Sequence, residues 1–555
     1  MTIKIQQAKK THMSSSEQTS FSPLYIELPY KPPASVYERF RSAKTVLLES
    51  IRGSEKTGRY SFIAIDPYIE FKVKDSVVEV SRVGQEKALR VERIKDCCGL
   101  GKKSVAGLEK DCCELRIKRC CGLGKKSVAG CKDLKMVDKR PLGRVRELLL
   151  SYPQKKNPHL PPFQGGAIGL LSYDFVHYLE GLPKTAADEL QIPDAHFFLV
   201  DRLFAFDHTE RKAYAIVCPG ARRAGLEAME KWSNGEMEVR YPALHYAGMF
   251  DEAGDSLCRM TDEYNRAGDD SPDTVVPERH GRADIVYEMT KKDYMDMVVR
   301  AKEYIHAGDI FQANLSQRLS ADIKASPWTL YSILRQINPS PFSAFVDFGD
   351  YQIVSSSPER LIRLRDGIAD TRPIAGTRPR GITAAEDERL RADLLLNEKE
   401  RAEHIMLIDL ERNDLGRVCS YGTIRVDELM TTEDYSHVIH IVSNVRGILS
   451  AGRDAFSLLR ATFPGGTITG VPKVRCMEII DELEPVVRGP YTGSIGYIGF
   501  SGDMDMNIII RTFVIKGGRA YVQAGAGIVA DSVPEREYYE SLKKAEALLS
   551  TLERL

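Results

Sequence analysis

Two hydrophobic textures divide the chain. In the first part, segments 59–71 (RYSFIAIDPYIEF), 164–173 (QGGAIGLLSY) and 197–206 (FFLVDRLFAF) are short, apolar and aromatic. Gly, Pro or Asp bounds each of them, which predicts β-strands. Residues 219–283 are polar, include GDDSPDTVVPERHG, and predict a helix or two followed by a linker. From Ile285 the spacing changes. Thr290 is placed to cap a helix whose apolar residues Tyr294, Met297, Val298, Ala301 and Ile305 keep helical spacing, and Gly308 stops it. Strand and helix patterns then alternate to the C-terminus. There Pro534 opens a last helix with Tyr538, Ala545, Leu548, Leu549 and Leu552 as its buried stripe. The expected organisation is a disordered tail over 1–20, an N-terminal region over 21–220, a polar linker over 221–284 and a catalytic half over 285–555.

Composition narrows the class. A chain of 555 residues, 43% hydrophobic, holds roughly two to four domain-sized units or one very large sandwich. The 78 basic side chains balance 78 acidic ones, so no global charge argues for nucleic acid or an anionic membrane. No apolar run approaches the roughly 18 residues that span a bilayer. The first residues, MTIKIQQAKKTHMSSSEQTS, lack the apolar centre of an export signal, so a cytoplasmic location is expected. Of the 11 cysteines, those at 97, 98, 112, 113, 120, 121 and 131 cluster, without the C-x-x-C spacing of a zinc site. CCGLGKKSVAG at 97–107 recurs unchanged at 120–130. GLGKKS is too short for a phosphate loop and follows no strand pattern, so the stretch of about 92–134 reads as a duplicated insertion without a catalytic role.

Three groups of residues are able to carry chemistry. Glu400 and Glu403 in NEKERAEH share one helical face, and Glu537 and Glu540 repeat that spacing in the last helix, with Lys544 one turn further. Four carboxylates from two distant helices suit Mg²⁺, which prefers oxygen ligands and keeps positions open for substrate; solvated surface charge has the same spacing. The glycine runs PGGTITGVPK (464–473), YTGSIGYIG (491–499) and QAGAGI (523–528) alternate with β-formers, so they either let backbone approach a ligand or form structural turns. Finally, Glu359, His440, Gln312 and Arg511 are polar residues in apolar settings. A buried acid or imidazole suits proton transfer, and the planar arginine fork suits a carboxylate. Spacing alone supports a Mg²⁺-dependent site for a small dicarboxylate.

The letters themselves are more specific. GDIFQANLSQR (308–318), SPERL (357–361), TRPIAGTRPRG (371–381), NEKERAEHIMLIDLERNDLGRV (397–418), YSHVIHIVSNV (435–445), FPGGTITGVPKVRCMEIIDELEP (463–485) and RTFVIKGGRAYVQAGAGIVADS (511–532) resemble the chorismate-binding enzymes. These include the large subunits of anthranilate synthase and of para-aminobenzoate (aminodeoxychorismate) synthase. VLLES (46–50), GRYS (58–61) and GGAIGLLSYD (165–174) extend the resemblance to the N-terminal half. It implies an α/β (α+β) fold, a large sandwich of antiparallel β-sheets flanked by helices, with both halves contributing. It also implies that Glu403 and Glu540 ligate Mg²⁺, helped by Glu400 and Glu537, and that the metal holds the ring carboxylate of chorismate. Tyr491, Arg511, Gly525 and Gly527 would bind the enolpyruvyl carboxylate. Glu359 would be the general acid for the C4 hydroxyl, His440 and Thr467 would line the ring, and Lys544 joins the substrate-binding set.

Gln312 bears on the nucleophile. In the isochorismate and salicylate branch of the family a lysine at this position activates water; glutamine cannot be that base, so ammonia is expected, supplied by a separate glutamine amidotransferase subunit. Ala375 stands where lysine-type para-aminobenzoate synthases carry a lysine proposed to add to the ring, as it does in anthranilate synthases. NLSQR, FPGGTITG and GFSGDMD, with Phe342 and Ser343 in NPSPFSAF, resemble the para-aminobenzoate branch instead. That branch is the expectation, with anthranilate formation as the alternative. In VLLES, Ser50 marks either a tryptophan pocket or plain structural core.

Overall fold

The structure, a computed structural model, describes residues 21–53, 57–84, 134–138, 140–234, 248–268, 283–434 and 438–555. The expected N-terminal tail and the cysteine-rich repeat lie outside the described residues.

Among the described residues, two 12-stranded antiparallel sheets make up the frame. In the first, strands Leu24–Pro29, Lys212–Val217, Arg202–Asp207, Tyr60–Ala64 and Val46–Glu49 run side by side into Phe342–Asp347, Tyr351–Ser357, Thr512–Lys516, Arg519–Ile528 and Gln312–Asp322. In the second, Ile69–Lys74, Ala195–Val200 and Gly166–Leu171 continue through Ser494–Gly499, Met504–Asn507 and Arg360–Arg365 to Val438–Ile448 and Ile374–Pro379 by way of Ile368–Thr371. Both sheets therefore draw strands from either side of Ile285. The boundary legible in the sequence does not separate two bodies in space.

Side-chain alternation explains the layering. Along Arg202–Asp207, Leu203 and Ala205 enter the cluster between the sheets, while Phe204 and Phe206 enter the cluster under the outer helices. Such strands are buried on both faces and read as continuous apolar runs. Pro33–Phe40, Met249–Asn265, Pro327–Ile337 and Pro534–Glu553 cover the first sheet; Pro141–Leu150, Ala221–Ser233, Glu398–Gly416 and Ala455–Thr462 cover the second. The 221–284 stretch is thus more than a polar linker. Ala253, Leu257, Met260 and Tyr264 form a buried stripe that its polar average conceals.

Two of the three apolar β segments are divided between the sheets. Residues 59–71 and 197–206 each supply one strand to the first sheet and one to the second. Two later crossings matter for chemistry. The chain passes between the sheets at 358–359, after Tyr351–Ser357, and again at 508–511, before Thr512–Lys516. Thr290 caps Lys291–His306 by accepting the Asp293 N–H, and Pro534 opens the final helix. Among the described residues no helix is long and apolar enough to cross a membrane.

Candidate active site

Glu359 and Arg511 sit at those two crossings, just outside the strands, where their backbone carbonyls accept the Ile508 N–H at 3.0 Å and the Ser356 N–H at 3.1 Å. Glu359 is buried, and its carboxyl accepts from Thr467 Oγ1 at 2.9 Å. Burial raises its pKa to about 7 against the opposing pull of Thr467, the Ile374 backbone, Arg511 and Lys544. A carboxyl that keeps its proton near neutrality is equipped to act as an acid. Arg511 has φ 51° and Thr492, beside Tyr491, has φ 58°. Non-glycine residues rarely occupy this left-handed region, and such strain persists where the surroundings hold it.

Gln312 opens the strand Gln312–Asp322, and its Nε2 donates to Glu403 Oε1 at 3.1 Å. That bond orients the amide and leaves Oε1 as a buried acceptor with no hydrogen-bond partner among the described residues. Asn314, two residues on and therefore on the same strand face, carries a second buried acceptor, Oδ1, in the same condition. The glycines opposite make this possible. A Cβ at Gly527 would lie 2.6 Å from Gln312 Nε2, and one at Gly525 would lie 2.8 Å from Asn314 Oδ1.

His440, on Val438–Ile448, is buried, and its Nδ1 contacts the Gly376 carbonyl at 3.1 Å and Thr377 Oγ1 at 3.0 Å. Burial, then the charge of Arg511, pull its pKa to about 4, so the ring is neutral at physiological pH. A neutral ring that donates from Nδ1 offers Nε2 as an acceptor. Tyr491 is buried beside the Arg488 guanidinium, 5.7 Å from its ring centre.

The four helix carboxylates have separate partners. Glu400 pairs with Arg378 Nη1 at 3.2 Å, Glu403 with Gln312, and Glu540 with Lys544 at 3.0 Å. Burial and the charge of Glu540 push Glu537 above the usual glutamate range, while Lys399, from the start of the other helix, opposes them. Among the described residues no three His, Cys, Asp or Glu side chains are gathered to hold a metal ion. The donor set is nonetheless all hard oxygen from two helices. That chemistry fits Mg²⁺, which is commonly held by one or two carboxylates with water and substrate completing its shell.

Several residues at the site escaped the sequence reading. Glu484 and Arg488 form a buried pair at 2.6 Å beneath Tyr491. Glu411 and Asp414 continue the inward stripe of Glu398–Gly416, and Lys473 pairs with Asp414. Helical spacing from Glu403 through Leu407 and Ile408 to Glu411 was the available signal. Ser50 lies elsewhere, on a separate cavity of about 280 Å³ lined also by Arg59, Phe342, Tyr497 and Asp505. Its Oγ donates to the Pro341 carbonyl at 2.7 Å. Arg360, the residue after Glu359, lines that cavity too.

An acid at a sheet crossing, an amide oriented by a carboxylate and two acidic helix faces define an enzyme site for a small molecule. Residues 113–550 match the chorismate binding enzyme family. The chain belongs to that family and is a chorismate-utilising enzyme. It is 39% identical over 523 residues to anthranilate synthase component 1 of Acetivibrio thermocellus, covering 94% of this chain and 92% of that one. It is equally 39% identical over 509 residues to aminodeoxychorismate synthase component 1 of Bacillus subtilis, covering 92% and 91%. The crystal structure of anthranilate synthase component I from Streptococcus pneumoniae superposes with a TM-score of 0.65 at 32% identity, over 93% of this chain and 96% of that one.

Proposed function

We propose that this enzyme aminates chorismate with ammonia to give 4-amino-4-deoxychorismate, the precursor of para-aminobenzoate, and that a separate glutamine amidotransferase subunit supplies the ammonia. The observation that carries the reading is the pair of buried acceptors Gln312 Oε1 and Asn314 Oδ1, which have no hydrogen-bond partner among the described residues. Ammonia has N–H donors to satisfy both, and neither amide is basic enough to activate water. Arg511, the Tyr491 hydroxyl and the backbone at Gly525 and Gly527 bind the enolpyruvyl carboxylate. His440 and Thr467 line the ring. Glu359 gives its proton to the departing C4 hydroxyl, which leaves as water. A C–N bond replaces that C–O bond, and the proton shed by the incoming nitrogen restores the balance. Glu403 and Glu540, supported by Glu400 and Glu537, are the residues that would hold Mg²⁺, which when bound neutralises and orients the ring carboxylate.

Ala375 favours a second reading, anthranilate formation, because it removes any covalent role for that position. One incubation separates the two. With Mg²⁺, chorismate and an ammonium salt, para-aminobenzoate is expected only when aminodeoxychorismate lyase is added. Anthranilate formed without lyase overturns the first reading, and no turnover in either arm overturns amination.

Gly527→Ala probes the nucleophile site. The new Cβ meets only the movable end of Gln312, so the fold should hold while the amide is driven off Glu403. The expected result is a rise of roughly tenfold or more in KM for ammonium, with the thermal midpoint little changed. An unchanged ammonium KM removes Gln312 from this role.

A further inference from the structure

We propose that Asp174 is a positioning residue for chorismate binding: its carboxylate fixes Gly489, and with it the turn that presents Tyr491 to the site. Asp174 closes the GGAIGLLSYD motif, which no step of the proposed chemistry uses. It stands in the first turn of a short 3₁₀ helix, Tyr173–Tyr178, just after the strand Gly166–Leu171. Ser172 anchors that junction, its N–H donating to the Asp194 carbonyl at 2.9 Å and its hydroxyl to the Pro193 carbonyl at 2.7 Å. The buried Asp174 side chain accepts the Gly489 N–H through Oδ2 at 2.8 Å, and the Tyr173 N–H donates to the Gly489 carbonyl at 2.7 Å. Both backbone groups of one glycine are thus held by two consecutive residues from the N-terminal half.

The freedom of the turn is concentrated at Gly489. Before it, Arg488 is anchored by Glu484 and lies over the Tyr173 ring at 4.9 Å and the Tyr491 ring at 5.7 Å. After it, Pro490 has a fixed φ. Gly489 itself has φ 56° and precedes that proline, a combination that residues with a side chain disfavour. Beyond Tyr491, the Thr492 N–H donates to the Ile509 carbonyl at 2.8 Å and the Ile509 N–H to the Gly493 carbonyl at 2.9 Å. Ile509 belongs to the crossing that carries Arg511. The far end of the turn is therefore tied to Arg511, and Asp174 sets the near end. Without that acceptor Tyr491 shifts relative to Arg511, while the Gln312 amide and Glu403 are held by other elements.

The inference rests on Tyr491 binding the enolpyruvyl carboxylate, and the experiments separate the two ideas. Asp174→Ala removes the acceptor; Asp174→Asn keeps the shape and an oxygen for the Gly489 N–H. A carboxylate contact is made in the ground state and the transition state alike. D174A should therefore raise the chorismate KM by roughly tenfold or more, with kcat and the ammonium KM each within about threefold of wild type. D174N should stay within about threefold for all of these constants. Tyr491→Phe should raise the chorismate KM too, and adding D174A to it should cost less than about twofold more, since both act through one contact. A chorismate KM unmoved in D174A, a D174N as impaired as D174A, additive effects, or an ammonium KM that rises in parallel overturns the proposal. Hydrogen exchange gives a readout without turnover: the 488–493 segment should exchange faster in D174A and at the wild-type rate in D174N. If Y491F leaves the chorismate KM unchanged, the reading of Tyr491 fails. Asp174 then keeps its role only if D174A still raises that KM and speeds exchange in the turn, and otherwise loses it. Should D174A not fold, Gly489→Ala takes its place. Its Cβ meets nothing within 4 Å, so it strains only the backbone of the turn. The same KM should rise about fivefold or more, and an unchanged value overturns the proposal.

Discussion

Glu359→Gln should lower kcat by about 10²–10⁴-fold, the range for losing a general acid, while chorismate binding changes little. Glutamine keeps the shape and can still accept from Thr467, so the loss isolates the proton. The pH profile makes the assignment specific. In the free enzyme the acid has a pKa of about 7 because burial outweighs its hydrogen-bond donors. The acid form therefore disappears as pH rises through that value, and wild-type kcat/KM should fall on that side. In E359Q the limb belonging to this group should be absent. A variant that retains wild-type kcat, or keeps the same limb, assigns the proton to another residue. His440 is a poor substitute, since its neutral ring has no proton to spare as a strong acid at neutral pH.

Glu484→Ala should be the most destabilising single change at the site, costing about 3–5 kcal/mol by thermal or urea unfolding. Arg488 is buried, is bound twice by Glu484 at 2.6 and 2.9 Å, and cannot shed its proton. Removing the carboxylate leaves that cation unpaired. It also strips the acceptor from the Ser316 N–H and hydroxyl, which reach Glu484 Oε1 at 2.8 and 2.9 Å. The double replacement Glu484→Leu with Arg488→Met should recover most of the stability, because it removes both charges together. It should not recover turnover. Arg488 also donates to the Asn314 carbonyl at 2.6 Å and the Ile468 carbonyl at 3.1 Å, and it packs against Tyr491. Those contacts align the strand of Gln312 with the loop of Tyr491. A loss below about 1 kcal/mol in the single variant would show that the pair is not what holds this region.

The legible parts of this site are those that depend on near neighbours in sequence. Glu400 with Glu403, and Glu537 with Glu540, could be placed on helix faces from spacing, and the helices are there. Gly525 and Gly527 could be read as positions of close approach, and in the structure a side chain at either would strike Asn314 or Gln312. The isolated polar residues were recognisable as unusual, but not why. NIIIRTF looks like one strand carrying an arginine. In fact the chain leaves one sheet there and enters the other, so Arg511 stands at the crossing, before the strand Thr512–Lys516 begins. Glu484 lay within the 463–485 motif and Arg488 just beyond it, and neither carried a signal, because the pair's meaning comes from burial against Ser316, Asn314 and Ile468. The inward stripe of Glu398–Gly416 was hidden by its acids, since Glu411 and Asp414 occupy positions where periodicity expects apolar residues.

By itself the sequence determined the local elements, the helix cap at Thr290 and the helix start at Pro534, the acidic helix faces and membership of a family that acts on chorismate. These follow from hydrophobic period, backbone preference and motif letters, all of which operate over a few residues. Only the tertiary structure decided how the apolar runs divide between two sheets and which side chains the crossings bring together. It alone set the proton on Glu359, the neutral ring of His440 and the orientation of the Gln312 amide. A charge state is the balance of desolvation against neighbouring charges and donors, and here those neighbours, Thr467, Arg511 and Ile374 among them, come from distant parts of the chain.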